Sequence, residues 1–187
     1  MRSVTIFISC VLFACFALVF PLDSTPAPPK VKTDGEQVTG CDAEAYLNDP
    51  DPKGTNVRSG PGAAHKVIGH IPNKNEEGLG VGVHITGSQG KWVRIDRAVE
   101  EGGDEEKVFF KGEGWLYAPL LAGSGVGGGS KLYSEPDEKS RVIGRISNDD
   151  QVKLHGCRGK WVLIEHKKMK GWMAPRTFCP SPLTTCS

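Results

Sequence analysis

The chain lacks a charge excess of either sign. Its 23 lysines and arginines stand against 22 aspartates and glutamates, a net charge of +1. That balance excludes the broad electropositive field by which nucleic-acid binders hold phosphates, so nucleic acid is not expected as a partner. Catalytic signatures are missing as well. The five histidines, His65, His70, His84, His155 and His166, stand apart from any serine or cysteine nucleophile motif. No Gly-x-Ser-x-Gly elbow, H-E-x-x-H pair or phosphate-cradling loop occurs. The chain is therefore read as no enzyme, and no cofactor is expected. Without a C-x-x-C or H-x-x-x-H spacing, no structural metal is expected either. Beyond residue 40 no stretch sustains the 3.6-residue period of an amphipathic helix.

What the chain has in quantity is glycine, 24 of 187 residues, against an ordinary share of ~7%. Glycine supplies the positive φ of tight turns, so many short strands joined by turns are expected. The tetrapeptide Gly-Lys-Trp-Val occurs twice, beginning at Gly90 and at Gly159. It belongs to a longer repeat. "NVRSGPGAAHKVIGHIP" (56–72) aligns with "KLYSEPDEKSRVIGRIS" (131–147), "VHITGSQGKWVRI" with "VKLHGCRGKWVLI", and "GEGWLYAPLL" with "MKGWMAPRTF". Three blocks in the same order argue for duplication of one folding unit. Two insertions lengthen the first copy, one near "NKNEEGLG" and one at "RAVEEGGDEEKVFFKGE", where an extended hairpin is expected. "AGSGVGGGS" between the copies reads as a linker.

Within each copy the apolar residues alternate. Val83/Ile85 and Val93/Ile95 in the first copy match Val152/Leu154 and Val162/Ile164 in the second. That is the period of half-buried strands. A module of this size suits a short curled barrel, which closes its own edges. The first copy also resembles the bacterial SH3 domain, SH3b. The likeness rests on Asn56-Val57-Arg58-Ser59-Gly60-Pro61-Gly62, Val67-Ile68-Gly69, Trp92 with Ile95, and Gly114-Trp115. The second copy departs from it at Leu132-Tyr133-Ser134-Glu135-Pro136-Asp137, which loses both glycines. The fold expectation is all-β: two tandem small SH3-like barrels joined by a Gly/Ser linker, after an N-terminal signal segment. The boundaries are 1–22 for a signal or membrane-targeting segment, 23–40 for a Pro-rich spacer, and 41–121 for the first module. Linker 122–130, second module 131–179 and tail 180–187 follow.

The N-terminal reading rests on Arg2 followed by an uncharged, nearly all-apolar run from Val4 to Phe20. Its length is short for a bilayer span and suits a secretory signal. Leu12-Phe13-Ala14-Cys15 resembles a lipoprotein processing box, with a bulky Phe13. Membrane contact is expected only through this segment or a lipid on Cys15. In an oxidising compartment, Cys41, Cys157, Cys179 and Cys186 permit three complete pairings. Cys157 with Cys179 is favoured because both fall within the second copy, which leaves Cys41 for Cys186.

Several residues are candidates for binding. Arg58 beside the Gly-Pro-Gly turn is either the carboxylate ligand of a peptide groove or a side chain packed over the barrel mouth. Trp92 and Trp161 alternate with inward aliphatics, so both indoles point outward as stacking platforms or lie under neighbouring structure. Trp115 and Trp172 are expected in the core, with Tyr117 near the first and Tyr133 in the second copy. The acidic run at Glu100, Glu101, Asp104, Glu105 and Glu106, and the Asp49/Asp51 stretch, lack the ligand spacing of a calcium loop and read as solvated. The resemblance implies a non-catalytic, exported binding module of the cell envelope. Peptidoglycan peptides or glycan, or an envelope protein, would bind at Arg58, Trp92, Tyr117, Tyr133 and Trp161. The alternatives are a structural or protein-interaction component whose barrels pack together, and a cell-wall hydrolase accessory or enzyme with a site between the modules.

Overall fold

The computed structural model describes residues 37–73, 80–102, 107–148, 150–181, 183 and 186. The signal segment, Cys10, Cys15, spacer residues 23–36, insertion residues 74–79 and 103–106 of the acidic run lie outside the described residues. The chain forms β1 (Thr39–Leu47), β2 (Thr55–Arg58), β3 (Val67–Ile71), β4 (Val81–Gln89), β5 (Trp92–Glu100) and β6 (Val108–Tyr117). A single 3-10 turn, Ala118–Leu120, leads to β7 (Leu121–Gly125), β8 (Ser130–Tyr133), β9 (Val142–Ile146) and β10 (Gln151–Arg158). β11 (Trp161–His166), β12 (Met169–Met173) and the short β13 (Phe178–Cys179) complete it. Among the described residues no helix is long and apolar enough to cross a membrane.

The strands form one antiparallel sheet in the order β3-β2-β6-β5-β4-β1-β7-β10-β11-β12-β8-β9, with β13 alongside β7. The order reads the same from either edge. β1 to β6 and β7 to β12 occupy equivalent places, and β1 meets β7 at the centre with Tyr46 opposite Ala122 and Leu47 opposite Leu121. The second insertion lengthens the β5–β6 hairpin, as expected, out to the pairing of Val99 with Val108.

The repeated Gly-Lys is a two-residue hairpin loop. Gln89 pairs with Trp92 and Arg158 with Trp161, which leaves Gly90-Lys91 and Gly159-Lys160 as the loops. The glycines have φ of 58° and 56°, and the lysines have no positive φ. Glycine in the left-handed region at the first loop position marks a type II′ turn, whose twist matches that of the flanking strands. The aliphatics that follow bury as the alternation predicts: Val93, Ile95, Val162 and Ile164 are each at most 2% exposed. They join Val83, Ile85, Val152 and Leu154 in one hydrophobic core cluster that runs through both halves, with Leu47 and Leu121 between them. Each fully buried Leu, Ile or Val contributes about 1.5–3 kcal/mol.

Two expectations are corrected. Residues 122–130 are not simply a linker: Leu121–Gly125 is β7, hydrogen-bonded to β1, β10 and β13. Its small residues reflect crowding, since a Cβ at Gly123 would lie 2.1 Å from the Phe178 ring. The disulfides are Cys41–Cys157 and Cys179–Cys186, and not the pairing favoured on the repeat. The reason is that β1 lies against the β10–β11 hairpin. Asp42 N donates to Gly159 O and Gly159 N to Gly40 O, which brings the Cα atoms of Cys41 and Cys157 to 5.8 Å. Cys186 bonds Cys179, and its carbonyl accepts from Gly127 N.

Polar groups also cross the seam between the halves. Ser88 Oγ donates to Cys157 O at 2.9 Å and accepts from Cys157 N at 3.2 Å, while Gln151 Nε2 donates to Tyr46 Oη at 2.7 Å. His84 bridges Asp96 (Nδ1–Oδ1, 2.7 Å) and Asp42 (Nε2–Oδ1, 3.1 Å), and Lys160 lies 3.7 Å from the other Asp42 oxygen. Partial burial opposes the charge on His84, but its hydrogen bonds to the two carboxylates outweigh that and raise its pKa. The hydrogen bond from His84 lowers the pKa of Asp42.

The signs define a window. A raised histidine pKa stabilises fully below the unfolded value of 6.5 and loses its effect as pH rises through the folded value. A depressed aspartate stabilises above its unfolded value of 3.8 and loses its effect as pH falls through the folded one. Wild type is therefore expected to exceed His84→Gln in melting temperature most between those two pH values. A difference that stays constant from acid to alkaline pH in thermal melts would contradict this.

Candidate functional site

Three of the residues singled out in the first copy converge. Trp92 opens β5 and Tyr117 closes β6, and the two are register partners. Their rings meet edge-on, with centroids 5.6 Å apart and planes inclined at 60°. That edge-to-face geometry is favourable for aromatic quadrupoles. Arg58, at the end of β2, donates from Nη1 to His65 O at 2.8 Å, which ties it to the turn after the Gly-Pro-Gly sequence. Arg58 thus braces the loop and also borders an open cavity.

That cavity, about 270 Å³, is lined by Asp49, Asp51, Asn56, Arg58, Trp92 and Tyr117, among others. The two aspartates are held by the bend before β2. Asp49 Oδ1 accepts from Asp51 N and Asp51 Oδ1 from Lys53 N, both at 2.9 Å. These are Asx turns, in which a short carboxylate satisfies a nearby backbone donor. The sequence reading placed these aspartates in a solvated stretch and missed that they border the aromatic pair. The available signal was their position directly before the strand that carries Arg58. Among the described residues no group of three or more His, Cys, Asp or Glu side chains is placed to hold a metal ion.

The second half keeps the tryptophan and changes its partner. Trp161 meets Tyr133 edge-on at 5.5 Å with planes inclined at 83°. Tyr133 holds the place in β8 that Arg58 holds in β2: Arg58 pairs with Val67 and Trp115, Tyr133 with Val142 and Trp172. One half thus has an arginine beside its aromatic pair, and in the other the residue at the matching place is itself one of the rings. Tyr133 is 7% exposed, so little of the residue is open to solvent. Trp92 and Trp161 are half-buried, each against its own half's tyrosine. Trp115 is buried as expected, whereas Trp172 is half-buried with the Arg158 guanidinium 5.8 Å above its ring.

Comparison with known proteins adds one family. The bacterial SH3 domain model matches residues 127–177, which span β8 to β12. The match falls on the half whose first block departs from the motif, and a second copy is not shown by it. No curated protein matches the chain. Among solved structures, NlpC2 from Trichomonas vaginalis is similar at 17% identity and a TM-score of 0.29, over 74% of this chain and 48% of that one. NlpC1 from Trichomonas vaginalis is similar at 15% identity and a TM-score of 0.27, over 80% of this chain and 49% of that one. The chain spans about half the length of these solved proteins.

Proposed function

We propose that the chain is a non-catalytic, exported protein built from two copies of an SH3-like unit, and that its first half binds a peptide of the cell envelope. One observation carries this reading: Arg58, Trp92 and Tyr117, separated in sequence, line one cavity with Asp49 and Asp51. An apolar side chain of the peptide would stack on the edge-to-face pair. Asp49 and Asp51 would face its ammonium groups. One guanidinium N–H of Arg58 is committed to His65 O, and the remaining donors suit a peptide carboxylate. Two disulfides suit export, because such bonds persist in oxidising compartments. The family matched at 127–177 is a binding-module type, which favours recognition over catalysis.

Tyr133 and Trp161 form the second, less polar contact. If both halves engage one polymer, the second contact becomes intramolecular and raises overall affinity through effective concentration. The test is co-sedimentation with purified peptidoglycan sacculi. Trp92→Ala is expected to weaken retention by about tenfold or more, the scale for removing an anchoring aromatic. Trp161→Ala is expected to weaken it less, because Tyr133, the partner ring, is itself buried and leaves less of that pair open to a ligand. Wild type that stays in the supernatant at every sacculus concentration would reject the envelope-peptide reading.

A further inference from the structure

A second cavity, about 340 Å³, opens at the seam between the halves. It is separate in chemistry and residues from the aromatic groove. Val162, Ala174 and Phe178 give it an apolar lining, with Val162 and Ala174 buried. Its charged rim has both signs: Glu44 from β1, and Arg176 from the turn between β12 and β13. Among the described residues neither side chain has an ion-pair or hydrogen-bond partner, whereas the Asp42 carboxylate on the same rim is engaged by His84 and Lys160. The walls are fixed from both halves by the Cys41–Cys157 bridge and by the backbone bonds between Gly40, Asp42 and Gly159. A cavity held open in this way requires little ordering when a ligand enters.

The backbone at Arg176 points the same way. Thr177 N donates to Ala174 O at 3.1 Å, with Pro175 and Arg176 at the corner and Arg176 at φ 64°. Proline followed by a left-handed residue is the pattern of a type II turn, whose third position favours glycine. Arginine there costs backbone free energy that glycine would not. The first half has the same Ala-Pro at Ala118-Pro119, but Leu120 after it has no positive φ. The second half therefore holds a disfavoured arginine conformation at the mouth of a cavity. Such outliers concentrate where a side chain has a binding role.

We propose that this seam cavity binds a short peptide with free termini, its carboxylate on Arg176 and its ammonium on Glu44, with small apolar side chains against Val162 and Phe178. The two unpaired charges of opposite sign select a zwitterion over a singly charged ligand, and the apolar lining selects aliphatic residues over polar ones. The site is independent of the aromatic groove.

The probe is L-alanyl-L-alanine, compared with its N-acetyl and C-amide derivatives by amide-resolved NMR titration of the full protein. The free dipeptide is expected to shift the amides of Asp42 to Glu44 and of Arg176 to Phe178. Each blocked derivative is expected to bind about tenfold more weakly or worse, the scale of one lost charge-assisted contact. Arg176→Gly separates binding from folding. It relieves the left-handed strain, so its melting temperature should equal or exceed that of wild type while the dipeptide's affinity falls about tenfold. Glu44→Gln should weaken the free dipeptide and leave the N-acetyl form unaffected. The proposal is overturned if millimolar dipeptide shifts no resonances at the seam, if blocked and free forms bind alike, or if Arg176→Gly binds as well as wild type. Shifts confined to Trp92 and Tyr117 would overturn it too, and would leave the aromatic-groove reading standing.

Discussion

Replacing Cys41 and Cys157 together by alanine is expected to lower the unfolding free energy by about 5 kcal/mol in the chain-entropy limit. The bridge spans 116 residues of sequence, so its loss restores a long stretch of freedom to the unfolded chain. Cys179–Cys186 spans 7, and its removal should cost about 2 kcal/mol. The larger loss should appear as a fall of roughly 10–20 °C in melting temperature, taking about 2–4 °C per kcal/mol for a chain of this size. The physical role of the long bridge is to join strands β1 and β10, which belong to different halves of the sheet. Without it the seam keeps the β1–β7 and β7–β10 pairings and the Ser88–Cys157 backbone contacts, so the halves should stay associated in the folded state. Urea unfolding of the two double-alanine variants measures both losses. A Cys41/Cys157 variant that is no less stable than the Cys179/Cys186 variant would show that the seam is held by its packing and not by the crosslink.

The parts of the fold legible in the sequence were those whose side chains carry the signal. Val83, Ile85, Val93 and Ile95 alternate, recur as Val152, Leu154, Val162 and Ile164, and all are buried. Strands β1 and β7 were not legible, because their positions between neighbouring strands select small residues. "CDAEA" and "LAGSG" carry little β propensity, and the second reads as a flexible stretch. Yet these two strands decide how the copies meet, and with them the disulfide pairing. Cys41 bonds Cys157 because β1 runs beside the β10–β11 hairpin, a tertiary fact that spacing within the repeat does not contain. The aromatic site was half legible for a similar reason. Alternation against buried valine and isoleucine turned Trp92 outward. Asp49 and Asp51 sit in a bend whose path toward that indole is set by the strand order, and Arg176 belongs to a turn that the repeat aligns with a first-copy turn of different shape.

Gly171→Ala is the second large effect, and it tests the duplication from inside the fold. A Cβ at Gly171 would stand 2.6 Å from Leu132 Cγ, 2.8 Å from Ile143 Cδ1 and 2.9 Å from Tyr133 O. At Gly114, its counterpart before the equivalent tryptophan, a Cβ would stand 2.2 Å from Val57 Cγ1 and 2.8 Å from Phe110 Cζ. Val57 and Leu132 are themselves equivalent residues, both 0% exposed, so each copy closes the same way: a bare backbone lies over a buried aliphatic of the neighbouring strand. The obstacle at Gly171 includes the backbone of β8, which β12 holds through only the Trp172–Tyr133 and Met173–Leu132 pairs. Making room there means separating the two strands, and a cost of about 3 kcal/mol is expected, the upper end for overpacking. Because Tyr133 moves with β8, the same change should disturb its contact with Trp161 and alter the near-ultraviolet circular dichroism, while Trp92 and Tyr117 stay paired. Gly114→Ala presses on the side chains of Val57 and Phe110 instead, and should leave the contact between Tyr133 and Trp161 unchanged. Gly40→Ala, where a Cβ meets nothing within 4 Å, is the control and should stay within about 0.5 kcal/mol of wild type. If Gly171→Ala matches that control in urea unfolding, the close approach of β12 to β8, and the shared closure of the two copies, is wrong.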